Sequence, residues 1–340
     1  MNRRTFLLGV SGASAGCMSG PSRRLNVYNW SDYVARDTIP NFEREFGVRV
    51  RYATYESAEE MLAKALTGNS GWDIVFPSNS YVGPMREMGL LASLDHRHLP
   101  NLINLDVRFQ TPPWDRRIQW SIPYMHGSTG IAYSTKAPSP VGWGDLWENK
   151  YQRRLTMLDD PAEVLGACLK RRRDSVNSTD PGQLEAAKQL AIEQKPLLRA
   201  YINAEVRDQL IAGDVLVAQS WSVTAQQAIE QSDRLAFVYP LEGFPLYCDT
   251  AAILRESRRV NLAHQFLNYL LRPQVAAAIA LEMRTATVNA AARALLPEKD
   301  RGNRTLYPSP EILTRGEWFR AMPPAAQRLR DKLWTEIKSA

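Results

Sequence analysis

Carboxylates stand beside aromatic rings at three separate places in this chain: Asp160 with Glu163, Asp249 two residues after Tyr247, and Asp32 between Trp30 and Tyr33. Carboxylates make charge-assisted hydrogen bonds to N–H donors. Aromatic faces attract cations through their quadrupole. Together these residue types describe a water-poor box for an organic cation with an apolar middle and ammonium ends. An anion site or a nucleic-acid site would need the reverse polarity. The chain as a whole carries a formal charge of +6, so an acidic box would stand out against its background. The basic run Lys170-Arg171-Arg172-Arg173 could meet phosphates. Without stacking aromatics in a basic groove it reads as a solvated helix face, and no nucleic-acid partner is expected.

Other chemistry is sparser. His126-Gly127-Ser128-Thr129-Gly130 has the outline of a nucleophile elbow, but His126 stands where a glycine is required. His96 and His98 could share a metal, yet Arg97 and Pro100 beside them suit a surface loop. No His-Glu-x-x-His occurs. The expectation is therefore a binding protein without cofactor or metal, and an exported hydrolase is the competing class.

The N-terminus reads as an export signal. Arg3 and Arg4 precede the apolar stretch Phe6 to Val10, and small residues lead to Ser14-Ala15-Gly16-Cys17. This has the form of a twin-arginine leader feeding a lipidation site at Cys17. The apolar stretch is far short of the roughly 18 residues that span a bilayer. Loss of the leader with its two arginines takes the formal charge from +6 to +4. The expected location is the periplasm or the outer face of the cytoplasmic membrane. Cys168 and Cys248 read as small buried side chains, since one bridge cannot staple 340 residues.

The elements that must position the acids follow from periodicity. Short apolar strands alternate with amphipathic helices, which predicts an α/β fold with mostly parallel sheets. Strands are expected at Leu25 to Tyr28, Val48 to Tyr52, Trp72 to Phe76, Gly130 to Ser134, Leu155 to Leu158, Val215 to Trp221, Leu235 to Tyr239 and Thr250 to Leu254. Helices are expected from Asp37 to a stop at Gly47, after a capping box at Ser57-Ala58-Glu59-Glu60, from Pro161, over Leu184 to Gln194, around Thr224 to Gln231 and over Asn261 to Leu271. No flexible linker divides the chain, so two lobes would be joined by several crossings.

Nine motifs now come in order. Val27-Tyr28-Asn29-Trp30-Ser31-Asp32-Tyr33, Thr54-Tyr55-Glu56-Ser57, Trp72-Asp73-Ile74-Val75-Phe76-Pro77-Ser78, Ser121-Ile122-Pro123-Tyr124 and Trp143-Gly144-Asp145-Leu146-Trp147 are the first five. Leu158-Asp159-Asp160-Pro161-Ala162-Glu163, Asn268-Tyr269-Leu270-Leu271-Arg272-Pro273, Asn289-Ala290-Ala291-Ala292-Arg293 and Gly316-Glu317-Trp318 follow. From Leu25 to Trp318 the chain resembles the spermidine/putrescine-binding proteins of bacterial ABC importers. The resemblance implies a two-lobed periplasmic-binding-protein fold of type II, with the ligand cleft between lobes and polyamine trapped by hinge closure. It implies an ABC permease and its ATPase as partners of a monomer. The expected division is residues 1–24 as signal and tether, 25–131 plus 250–292 as one lobe, and 132–249 plus 293–340 as the other. Crossings are expected near Ala132, Asp249 and Ala292.

The resemblance also weighs the site residues. Alone, Asp160-Pro161-Ala162-Glu163 is a helix start with Asp160 as cap and Glu163 closing the box. The resemblance makes both carboxylates ligands of a terminal ammonium, with Asp159 free to cap. It makes Asp249 the central acid, Trp221 and Tyr247 aromatic walls, and Trp30, Ser31, Asp32, Tyr33 and Ser78 pocket residues. Tyr247 replaces a family tryptophan. Ser80 and Thr285 stand where the family has tyrosines, Phe319 where it has a glutamine, and His126 where it often has a tryptophan. The amine class is thus implied, and the choice among spermidine, putrescine and a related amine stays open. A same-fold receptor for another organic cation or for ferric iron is the alternative within the fold.

Overall fold

The computed structural model describes residues 24–340; the leader and Cys17 lie outside them. Eleven strands are described: β1 (Arg24–Trp30), β2 (Arg49–Tyr55), β3 (Ile74–Val75), β4 (Ile122–Ser134), β5 (Leu155–Met157), β6 (Leu198–Tyr201), β7 (Val217–Trp221), β8 (Leu235–Val238), β9 (Phe244–Ile253), β10 (Ala286–Thr287) and β11 (Gly316–Trp318). Their order is β2-β1-β3-β9-β4-β7-β5-β6, with β8 and β10 on β4 and β11 on β9. β1, β2 and β3 are mutually parallel, as are β5, β6 and β7.

The expectation of mostly parallel sheets is corrected at the centre. β4 and β9 are antiparallel to each other, and each also joins a neighbour antiparallel. The reason is connectivity. β4 and β9 are long because each runs through both lobes, and they run in opposite directions. Ile122, Tyr124 and Met125 of β4 belong to one core and Ile131 to another. On β9, Phe244 and Leu246 belong to the second core and Cys248, Ala251 and Ile253 to the first. Two lobes thus share two strands, which is why no linker is visible in the sequence.

The helices form for local reasons. Thr38–Phe46 ends where Gly47 takes the left-handed conformation (φ 62°) and returns its N–H to Glu43. Ser57 caps Ala58–Ala65 by accepting the Glu60 N–H, but Glu60 reaches the N–H of Glu56, so the expected box closes one residue early. The predicted strand at Trp72 to Phe76 shortens to Ile74–Val75. Asp73 beside it keeps backbone bonds to Asn26 and Leu254, and its carboxylate accepts the Asn26 N–H and the Ser257 hydroxyl. The C-terminal helix Pro324–Ser339 is tied down by buried Arg330, which donates to the carbonyls of Val176 and Ser178 at 2.7 and 2.9 Å. Cys168 and Cys248 are free and buried in different cores.

Phe42 anchors the first core. It is fully buried and packs edge-on against Phe266, 4.9 Å between ring centres. Phe42→Ala is expected to lower unfolding free energy by about 3–5 kcal/mol, read by urea denaturation.

Candidate ligand-binding site

The site is built where β4 and β9 lie side by side. Asp249 is opposite Met125 and Tyr247 opposite Gly127. The expectation that Asp249 precedes a strand is corrected: it sits inside β9, and its side chain is 3% exposed. Two hydroxyls fix its carboxylate. Ser78 donates to Oδ1 at 2.6 Å and Tyr33 to Oδ2 at 2.7 Å. The loop that brings Ser78 is itself bound to β9, because the Thr250 N–H donates to Pro77 and the Cys248 N–H to the Asn79 side chain. Burial pushes the Asp249 carboxyl up to about 6 even though both hydroxyls favour its charge.

The second acid station comes from the helix Pro161–Arg171. Asp160 is its N-cap, with Oδ1 accepting the N–H groups of Ala162 and Glu163 at 2.8 and 3.0 Å. Asp159, expected to be free to cap, is exposed and pairs with Lys338 at 2.7 Å. Glu163 does not close a box either. Its Oε1 accepts from Thr129 of β4 at 2.8 Å and from the Trp221 indole at 2.9 Å. These two donors are register partners, Thr129 opposite Trp221. Glu163 Oε2 is buried with no partner. An unpaired oxygen of a buried carboxylate is unfavourable unless it is protonated or meets a cation. Both acids are accordingly pushed up. For Glu163 the cause is burial and then the Asp160 charge; for Asp160 it is burial, opposed by the cap bonds and reinforced by Glu59.

Tyr247 joins the stations. Its phenol lies over Gly127 so closely that a methyl there would overlap the hydroxyl. Burial holds that hydroxyl well above its usual range, and the next two causes are the charges of Asp249 and Glu163. Both acids therefore lie within electrostatic reach of one ring. On the Asp249 side, Trp30 donates its indole N–H to Phe76 at 2.9 Å and packs 4.6 Å from the Tyr55 ring. Tyr33 lies 6.3 Å from Trp30 and 6.4 Å from Tyr124.

Not every candidate is brought in. Asp32 is exposed, on left-handed backbone (φ 54°). Ser31 donates to Glu56 at 2.5 Å rather than to any cleft acid. Thr285 is buried and lines a small cavity shared with Tyr124, Leu271 and Ile279. The Phe319 backbone ties the lobes, its N–H to Leu246 and its carbonyl accepting from Asn79. The Phe319 ring faces Gly166. Thr129, Gly127 and Asn79 complete the site without having been singled out. No sequence signal marks them, because their roles depend on strand register. His126-Gly127-Ser128 lies inside β4 rather than on a strand-to-helix turn, so no nucleophile elbow is formed there. His96 and His98 share a short helical turn, where His96 bonds the Ile118 carbonyl. Among the described residues no group of three or more His, Cys, Asp or Glu could hold a metal, and no helix is long and apolar enough to cross a membrane.

Two α/β lobes sharing two antiparallel crossing strands, with acids and rings at the crossing, are the frame of a solute-binding protein. Residues 38–301 match the family model of the bacterial extracellular solute-binding proteins. The spermidine/putrescine-binding periplasmic protein of Salmonella typhimurium is 34% identical over 92% of this chain and 89% of that protein. The putrescine-binding periplasmic protein PotF of Escherichia coli is 31% identical over 96% of this chain and 94% of that one. Among solved structures, the spermidine/putrescine ABC transporter substrate-binding protein of Streptococcus pneumoniae superposes with a TM-score of 0.83 at 29% identity, covering 94% of this chain and 99% of that one. The chain belongs to the bacterial extracellular solute-binding proteins and, within them, to the family of the spermidine/putrescine-binding periplasmic proteins.

The raised acids make a sign prediction for the ligand-free protein. The folded chain holds a proton on Glu163 that the unfolded chain has released. The contribution of Glu163 to stability is then full below pH 4.5 and is lost as pH rises towards about 8. Glu163→Gln removes that loss. Urea midpoints are expected to fall across this range for the parent and, between pH 6 and 8, to fall less for the variant, since Asp160 and Asp249 titrate near 6.

Proposed function

We propose that this protein captures a polyamine, a spermidine- or putrescine-like cation, between Asp160, Glu163, Trp221, Tyr247, Asp249, Trp30, Tyr33 and Ser78, and delivers it to an ABC permease. The observation that carries the reading is the buried Glu163 Oε2 left without a partner, with Glu163 and Asp249 both within electrostatic reach of the Tyr247 phenol. Amines of this class are protonated at neutral pH, since a lysine-type amine has a reference value of about 10.4. Each ammonium takes one station, Asp160 with Glu163 or Asp249, and the methylenes lie against the rings. Each buried methylene contributes about 0.8 kcal/mol, so the spacing of the stations reads ligand length. The lobes divide along β4 and β9, with 25–131 plus 250–292 in one and 132–249 plus 293–340 in the other, and close on the ligand by bending these strands. The protein acts as a monomer outside the cytoplasmic membrane, tethered at Cys17, and performs no turnover.

Calorimetry with putrescine, cadaverine and spermidine tests the reading. At least one amine is expected to bind saturably and to return chemically unchanged. Asp249→Asn is expected to weaken that amine by roughly 1.5–3 kcal/mol, the range for a hydrogen bond to a charged group. Equal affinity in the variant would remove Asp249 from the site. The pH dependence is also signed. A bound ammonium favours ionised Glu163, whose carboxyl is raised to about 8 in the free protein, so binding near neutral pH expels protons. The heat of binding should therefore vary between two buffers of different ionisation enthalpy, in the sense of proton release. Heats that do not depend on the buffer would contradict this assignment.

A further inference from the structure

A second cavity lies apart from the acidic cleft, between β8 and the segment that leads into β11. Its volume is about 360 Å³, within the roughly 300–1,000 Å³ of small-molecule sites. None of the cleft acids or rings lines it. Its walls are apolar, from Phe237, Val238, Leu241 and Ile312, and two cations reach it, Arg304 and Arg315. The rim is an apolar lip: Leu241 is 59% exposed and Val141 57% exposed, joined by a backbone hydrogen bond of 3.1 Å. Large apolar side chains that exposed on one edge of a concavity mark a surface that expects cover.

The arginines give the cover its charge. Arg315 Nε is shielded from solvent with no acceptor. A buried donor left unpaired costs about 1–3 kcal/mol. The neighbouring acids are engaged elsewhere. Glu242 accepts the N–H groups of Trp143 and Gly144, both at 3.1 Å, and Glu317 pairs with Lys170 at 2.6 Å. Glu311 feels the charge of Arg304, yet neither Arg304 nor Arg315 has an ion-pair partner within 4.0 Å among the described residues. The Arg315 backbone is anchored, with its N–H on Ile312 and its carbonyl accepting from Phe244, so the guanidinium is presented from a fixed base. Guanidinium geometry matches a carboxylate through two parallel N–H bonds. The cavity floor carries two rings at right angles, Phe237 and Tyr239, 5.0 Å between centres. Tyr239 is itself locked, donating to Thr305 at 2.6 Å.

We propose that this cavity binds a small amphiphilic anion, an aryl or alkyl carboxylate. Arg315 takes the carboxylate, Arg304 adds charge at the mouth, and Phe237, Tyr239 and Leu241 cover the apolar body. The site is opposite in polarity to the amine cleft, so the two ligands do not compete.

The test is a titration of the full chain with 1-naphthoate, followed by its fluorescence, with acetate as the carboxylate that lacks an apolar body. Saturable naphthoate binding with a Kd below about 1 mM, and no competition from acetate at equal concentration, is expected. Arg315→Ala should weaken naphthoate roughly tenfold or more. Leu241→Glu, on the exposed rim where folding is not at stake, should weaken it similarly by bringing a like charge to the mouth. Amine binding should be unchanged in both. Absence of saturable binding, equal displacement by acetate, or naphthoate affinity unaltered in Leu241→Glu would each overturn the proposal.

Discussion

A carboxylate oxygen kept from water with nothing to bind is the constraint around which this molecule is arranged. Glu163 Oε2 has no partner, while its sister oxygen is held by Thr129 and Trp221. Asp249 nearby is clamped by two hydroxyls and still resists ionisation. Neutralising such groups takes either protons or an external cation. Asp249 on the crossing strand β9 is held by Ser78 and Tyr33, while Glu163 lies in the first turn of the helix Pro161–Arg171.

The crossing strands make this arrangement possible. β4 supplies Thr129 for one station and lies beside Asp249 at the other. β9 supplies Asp249 and Tyr247 on one face, two residues apart. Gly127 is required because the Tyr247 phenol occupies the space of a side chain. A small set of positions on the two crossing strands thus supports both acid stations.

Much of the architecture was legible in the residues. Alternating strands and helices, the stop at Gly47 and the cap at Ser57 follow from short-range rules. The acids and rings were legible as types, since few chains of positive charge gather carboxylates with tryptophan and tyrosine. Their assignment to one site rested on the order of nine motifs. The rest was not legible for physical reasons. Asp249 fell outside the expected strand Thr250 to Leu254 because β9 begins at Phe244, ahead of the periodic segment. Asp160 rather than Asp159 is the cap, since either could cap and only the path of the helix decides. The elbow outline around Ser128, already lacking its first glycine, lies within a continuous strand, which a short motif does not reveal. The partners Thr129 and Asn79 depend on register and loop packing, which no local pattern encodes.

Site-resolved carbon NMR of the glutamate carboxyl groups, with Glu163 assigned by its glutamine variant, tests the central claim most directly. In the free protein Glu163 should titrate far above the ordinary glutamate range, and saturating putrescine or spermidine should carry it below that range, because an ammonium has replaced the proton. A Glu163 carboxyl that titrates normally when free, or whose titration ignores the amine, would contradict the account.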